Sequence, residues 1–393
     1  MMFKKRIRAD EAKELFLSSF QPLDNTEFLP VENCDGRIIA RDIISMLDVP
    51  HYRRAAMDGF AVRSSDVLGA GTNSPVILEQ RSEVEKGTCV RVHTGSPLPD
   101  GADSVVMLED TYVRDDSVEI FAQIPPFKNT GEIGEDIRKG ELILNKGHLI
   151  RPCDIAVLAS TGIRNIEVYR KPRVAVIPTG EEVIGRDKEE LKAGEVYETN
   201  GIMTELYIRK WGGDPYLRDI VTDNPEEIKK AILSDQDADM IIISGGTSVG
   251  KRDHVPHVVE SIGKLLVHGV GISPGKPTAL GVFDGKPVVC LPGYPVACIV
   301  ALFFFARPAF RRLANLPDST DRIVIAVLSE KITSRTGFKT FARVRLHDGK
   351  AIPLATSGAG ILSSVSKADG FVIIPENIEG LNAGEKVEVV LID

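Results

Sequence analysis

Cysteine is scarce and dispersed in this 393-residue sequence: Cys34, Cys89, Cys153, Cys290 and Cys298, with no Cys-x-x-Cys pair among them. That spacing argues against structural zinc and a disulfide framework, and it fits a reducing cytoplasm. The seven histidines show no metal-ligand spacing either. Positive charge is in deficit: 48 Lys and Arg against 56 Asp and Glu leave a net charge of −8. A nucleic-acid binder would usually be basic, so an anionic ligand here must be held by local devices such as helix N-termini, lysines or a metal. Long hydrophobic runs are missing apart from "PVACIVALFFFA". A dozen helical residues reach only about 18 Å against about 30 Å of hydrocarbon, which predicts a buried helix and no membrane span. The start, "MMFKKRIRADEAKELF", is basic but lacks the apolar stretch of a signal peptide. Repeats and low-complexity tracts are absent as well.

What is present is ordinary globular material, 43% hydrophobic and 26% charged, in a chain long enough for about two to four domains. "ADEAKELFLSSF" and "RPCDIAVLASTG" read as short helices, the second closed by Gly162. They place an N-terminal base over residues 1–45 and 146–172. Between them, residues 46–145 show short alternating runs broken by glycine and proline, an inserted, mostly-β lobe. From 173 to 315, strands ("RVAVIPTG", "DPYLRDIVTD", "ADMIIISGG") alternate with helices ("NGIMTELYIRKWGG", "NPEEIKKAILS", "HVPHVVESIGK"). That alternation means a parallel, doubly wound α/β sheet. "PTALGVFDGKPVVCLPG" adds a hairpin turning at Asp284-Gly285, and residues 316–393 return to short strands as a small β domain.

In an open parallel sheet, ligands sit outside the carboxyl ends of the strands. Here those ends read "PTGEE", "VTDN", "SGGTSVGKRD" and "LPGYP". They carry backbone donors at Gly245, Gly246 and Gly293, hydroxyls at Thr247 and Ser248, and carboxylates at Glu181, Glu182, Asp223 and Asp253. In any one loop, glycines turn the chain and acids cap helices. Four such loops on one rim point to a site. Glycine amides and Lys276, held in a stiff turn between Gly275 and Pro277, favour an anion such as phosphate. Several carboxylates beside a phosphate require a divalent cation between them, and Mg²⁺ is the usual bridge. In the lobe, Asp58 ("AMDGFAV"), Thr94 ("VHTGSPLPDG") and Asp136 ("GEDIRKGE") lie in turns that are, taken singly, as well explained by structure.

Taken in order, "AMDGFAV", "TGSPLPDGADSVVMLED", "GEDIRKGE", "PTGEEV", "SGGTSVGKRDH", "SPGKPTALG", "LPGYPVA" and "SGAGILSSVSKADG" resemble the molybdopterin molybdenumtransferases, the MoeA and gephyrin E-domain family. The resemblance runs from about residue 7 to the end. It implies four parts: the helical base with its inserted β lobe, a molybdopterin-binding-like α/β domain and a C-terminal β-barrel. It also implies a homodimer with a composite active site, in which adenylylated molybdopterin receives molybdate (or tungstate) and releases AMP with Mg²⁺ required. The adenylyltransferase that makes that substrate is an implied partner. Catalytic acids then fall on Asp58, Asp136, Glu182, Asp223 and Asp253, with Asp58, Glu182 and Asp253 as metal ligands. Thr94, Gly245, Gly246, Ser248, Lys276 and Gly293 bind substrate.

Some positions depart from the family pattern: Glu181 where Asp is frequent, Tyr294 where Asn is common, and Ser273 where a second basic residue is frequent. Two rival readings share parts of the resemblance. One is a molybdopterin adenylyltransferase-type enzyme, which needs only the α/β domain. The other is a non-catalytic, gephyrin-like scaffold, which has no need of the acids.

Overall fold

The computed structural model describes residues 7–247, 254–317, 321–355 and 359–392. The chain forms two compact units, Phe28–Asp35 with Ile39–Glu167, and Met1–Glu27 with Gly36–Ile38 and Val168–Asp393.

The first of these units is built on a six-stranded sheet. Its spatial order is Ser104–Met107, Gly59–Val62, Thr88–Val92, Val76–Gln80, Ser117–Ile120 and Thr111–Arg114. Gly59–Val62 is an interior strand buried on both faces: Phe60 and Val62 join Val106, Val118 and Ile120, whereas Ala61 joins Ala55, Val92 and Val105. Gly59 has to be glycine, since a Cβ there would sit 1.9 Å from the Val106 carbonyl oxygen. The expected helix is Pro152–Ser160, ending before Gly162 at φ +76°. Proline at its first position costs no hydrogen bond, and the left-handed glycine stops it.

The second unit carries the α/β domain. Its sheet runs Asp214–Leu217, Arg173–Pro178, Met240–Ser244, Lys286–Leu291, Ala279–Phe283, Lys264–His268. The first four strands are parallel, and the last two are antiparallel to their neighbours. The hairpin turns at Asp284 (φ 50°) and Gly285 (φ 74°), as its Asp-Gly pair predicts. Side chains alternate between two cores. Val174, Val176, Met240 and Ile242 pack with Ile208 of helix Asn200–Lys210, whereas Ala175, Ile177, Ile241 and Ile243 pack with helices Pro225–Ser234 and Val255–Ile262. Helices therefore cover both faces, which is why these strands read as unbroken apolar runs.

The helix Ala9–Leu17 belongs to this unit: Ala9, Ala12 and Phe16 are fully buried in the core that holds Val174 and Val176. Its apolar positions fall at helical spacing, so the stripe needs a large apolar face to cover it. "PVACIVALFFFA" is helical and buried, running from Pro295–Ala301 through a π-helical turn at Leu302–Ala306 into Arg307–Leu313. Among the described residues, no helix is long and apolar enough to cross a membrane.

The C-terminal strands close on themselves. Lys339–His347 pairs with Lys350–Ala355, which pairs with Ile323–Leu328, then Lys386–Leu391, then Gly370–Ile374, which pairs back with Lys339–His347. This is a five-stranded barrel filled by Ala326, Leu328, Ala342, Val344, Val372 and Val389. Closure removes the edges that five short strands would otherwise expose.

Candidate active site

The carboxyl ends of the parallel strands are stitched together by main-chain bonds. Thr179 N–H donates to the Ser244 carbonyl at 2.8 Å, Gly245 N–H to Leu291 at 3.1 Å, and Gly180 N–H to Val221 at 3.2 Å. Gly245, at φ +106°, presses so close that a Cβ would lie 2.3 Å from the Thr179 carbonyl oxygen. Only glycine lets the two strand ends meet there. Above this floor opens a cleft of about 840 Å³. Glu182, Asp223, Gly245, Gly246 and Gly293 all line it, together with Thr179, Ser244, Thr247 and Asn200. The structure thus brings together residues from all four rim loops. Ser248 and Asp253 lie outside the described residues. Lys276 is exposed in its turn, and the residue that lines the cleft there is its neighbour Pro277.

Two adjacent residues divide the work of the "VTDN" loop. The Asn224 side chain accepts from Glu226 N–H at 2.9 Å and caps helix Pro225–Ser234, leaving Asp223 to the cleft. Burial pushes the Asp223 carboxyl above its ordinary range, and the charges of Glu182 and Glu181 add to that, against a backbone hydrogen bond from Glu181. One oxygen, Oδ1, is buried with no hydrogen-bond partner among the described residues. The Thr247 hydroxyl is in the same condition. Buried polar groups in folded proteins usually have a partner, so these two are open to a ligand, an ion or water in the cleft.

The Asn200 amide is oriented by its donor half, which gives a 2.7 Å bond to the Gly293 carbonyl. The helix that Asn200 opens is already closed by an acid: Glu198 accepts from Ile202 N–H at 3.1 Å. That helix end holds its own carboxylate, so it offers no free anion cradle. Sequence reading passed over Glu198 and Asn200, although "ETNG" before an amphipathic run is a capping string. It also passed over Leu191, Val196 and Tyr197, which form a wall of the cleft.

The lobe holds a second arrangement. Thr94 donates to Asp58 Oδ1 twice, from its N–H at 2.7 Å and its hydroxyl at 3.0 Å. Those bonds, with smaller contributions from His93 and Arg91, hold the Asp58 carboxyl below its usual range. Asp136 is exposed on the adjoining 131–138 loop, where its N–H donates to the Val49 carbonyl. That loop is tied to the Asp58 segment by Arg53–Glu132 at 3.2 Å and Arg54–Glu135 at 2.6 Å. These four partners were not singled out from the sequence. Among the described residues, no group of three or more His, Cys, Asp or Glu is arranged to hold a metal.

A doubly wound domain with a glycine-and-acid cleft at its strand ends, joined to a closed barrel and preceded by a β lobe, defines a multidomain α/β protein with a ligand site at its sheet rim. Comparison with known proteins agrees with that class. Three family models match: the MoeA N-terminal region (domains I and II) over residues 7–162, the molybdopterin-binding domain described as probable over 175–312, and the MoeA C-terminal region (domain IV) over 326–392. A Methanocaldococcus jannaschii protein named for molybdopterin biosynthesis is 38% identical, over 91% of this chain and 90% of its own length. The molybdopterin molybdenumtransferase of Haemophilus influenzae is 30% identical, over 97% of each. A crystal structure of a molybdopterin biosynthesis MoeA protein from Pyrococcus horikoshii superposes with a TM-score of 0.85 at 36% identity, covering 98% of this chain and 99% of that one. The chain belongs to the MoeA family.

Proposed function

We propose that this protein carries out the metal-insertion step of molybdenum cofactor biosynthesis: it binds adenylylated molybdopterin, places molybdate or tungstate at the dithiolene, and releases AMP. The observation that carries this reading is Asp223, a partly buried carboxylate with an oxygen unpaired among the described residues, set beside Glu182 over a floor of glycines. Acids and amide donors in one cleft suit a phosphate bridged by a cation, which neither group alone would explain. The family matches on both sides of the α/β domain also favour this reading over an adenylyltransferase needing that domain alone.

Glu182 and Asp223 fit Mg²⁺, which takes one or two carboxylates and completes its shell with water and phosphate oxygens. Asp58 and Asp253 are, with Glu182, the acids from which the ion's one or two carboxylate ligands could be drawn, and Asp136 joins Asp223 among the catalytic acids. The ion would neutralise charge on the phosphoanhydride as it breaks. Gly245, Gly246 and Gly293 let the substrate's phosphates approach main-chain donors, and Ser248, Thr94 and Lys276 add polar contacts. Asp58, held ionised by Thr94, keeps the negative charge that a metal ligand needs. The active form is a homodimer in which lobe acids of one chain serve the rim of the other, working in the cytoplasm, where its five cysteines remain thiols. The adenylyltransferase delivers the substrate by direct contact.

The test is to supply purified protein with adenylylated molybdopterin and molybdate and to follow AMP and cofactor. AMP release with cofactor formation is expected. Binding without turnover, under any divalent ion, would overturn the enzymatic reading in favour of a scaffold.

A further inference from the structure

The cleft is lined by two kinds of side chain. Glu182, Asp223 and Thr247 are polar, whereas Leu191, Val196 and Tyr294 are apolar or aromatic side chains that a folded protein would ordinarily bury. Tyr294 is 68% exposed, Val196 52% and Leu191 39%, and all three line this one cavity. Exposed apolar side chains gathered in a concavity mark a ligand surface, whereas scattered ones mark nothing.

Tyr294 is the most exposed of the three, and its backbone is fixed. It sits between Gly293 and Pro295 as the residue capping the buried helix, at φ −70° and ψ 127°. Gly293 is held by the Asn200 amide. On the far side, Val296 N–H donates to the Ala359 carbonyl at 2.9 Å, which ties the following loop to the helix start. That loop packs against the ring through Gly360, whose missing Cβ would stand 3.5 Å from Tyr294 Cδ1 and 3.8 Å from Cε1. Among the described residues, main chain thus lies near one edge of the ring, and Tyr294 stays 68% exposed.

We propose that Tyr294 is a stacking shelf for a flat nitrogen heterocycle of the ligand, so that this side chain holds the ring while the acids and glycines of the same cleft hold the phosphate end. The proposal builds on the substrate reading above, which supplies two such rings, a pterin and an adenine. Stacking of a base on an aromatic side chain is worth about 1–3 kcal/mol and tolerates different bases, because every base presents a π face. The ring alone supplies this, so phenylalanine should substitute for tyrosine.

The experiment measures binding of pterin, AMP, GMP and the ringless ribose 5-phosphate to the full chain and to Tyr294→Phe and Tyr294→Ala, with melting curves as the check on folding. Tyr294→Ala should weaken at least one ring ligand by roughly 5- to 100-fold, leave ribose 5-phosphate unchanged, and raise KM for the full substrate more than it lowers kcat. Tyr294→Phe should bind as the parent does. Ring binding that is unchanged in Tyr294→Ala, or lost together with ribose 5-phosphate, overturns the shelf, as does a parent protein that binds no ring at all. Tyr294-dependent binding of GMP with pterin and AMP refused would keep the shelf and overturn the substrate reading. Unimpaired cofactor formation by Tyr294→Ala would do the reverse.

Discussion

Thr94 grips Asp58 through two donors that end on the same oxygen, Oδ1, while the carboxylate keeps more than half its surface exposed. The arrangement fixes an ionised acid without burying it, as a reacting group requires. Asp58→Asn keeps the shape but loses the charge, so turnover should fall by roughly 10²-fold or more with the fold intact by circular dichroism. Thr94→Val removes one donor and should cost only about 3- to 10-fold, with Thr94→Ser close to the parent. Equal losses in Asp58→Asn and Thr94→Ser would show that the turn itself matters and the charge does not.

Mg²⁺ dependence follows from the acids that line the cleft. Cofactor formation should stop in EDTA and return when Mg²⁺ is restored. Glu182→Gln should raise the Mg²⁺ concentration for half-maximal rate by about tenfold or more, since a metal of this kind is held by few carboxylates. Full activity in chelator would remove the metal from the scheme.

The floor can be probed by a pair of glycines. Gly245→Ala and Gly285→Ala both place a Cβ at positive φ, but around Gly285 nothing lies within 4 Å, whereas at Gly245 the Thr179 carbonyl is 2.3 Å away. Gly285→Ala should cost about 1 kcal/mol, from backbone strain alone. Gly245→Ala should cost about 1–3 kcal/mol more and weaken AMP binding, because the strand end must shift. Equal destabilisation, read by urea titration, would show that the close approach is not needed.

The homodimer reading predicts complementation. Asp58 and Glu182 belong to different compact units of the chain. If they serve one site from two chains, Asp58→Asn and Glu182→Gln, each impaired at the Mg²⁺ concentration that just suffices for the parent, should regain up to about half the parent activity per heterodimer when co-expressed and assayed at that concentration, because one of two symmetric sites is then intact. Heterodimers that stay at background would place both acids in the same chain.

Much of this architecture was legible because its signals are local. The fully buried strands at 173–178 and 240–244, the Asp284-Gly285 turn and the glycine closing helix Pro152–Ser160 each follow from a few neighbouring residues. The rim loops were legible by a topological rule about strand ends. Three things were not. Asn200 reaches Gly293 across 93 positions of sequence, and no periodicity carries that. The Ala9–Leu17 helix advertises an apolar stripe but not which core will cover it. Leu191 and Val196 sit in a charged, glycine-bearing stretch that reads as a plain loop, and their apolar surface gains meaning only from the cavity beside them.

The helix Pro152–Ser160 offers a stability prediction with a definite sign. Asp154 caps helix Pro152–Ser160 from its third position. It accepts from Arg151 N–H at 2.9 Å, from the Arg151 guanidinium at 3.0 Å on each oxygen, and lies 2.8 Å from His148 Nε2. The Arg151 side chain, opposed by burial and helped by His148, holds the Asp154 carboxyl well below the ordinary carboxylate range. A group whose folded pKa is depressed stabilises fully above its unfolded pKa, about 3.9, and loses that contribution as pH falls towards the folded value. At pH 7, Asp154→Asn should therefore destabilise the helix by roughly 1–3 kcal/mol, the range for hydrogen bonds to a charged group. The difference from the parent should narrow steadily below about pH 4, where the parent's carboxylate begins to protonate on unfolding and the asparagine does not. Amide exchange across Pro152–Ser160, corrected for intrinsic rates at each pH, reads this directly. A gap that is as wide at pH 3 as at pH 7 would mean that the cap works by shape alone, and no gap at pH 7 would mean that it does not stabilise the helix.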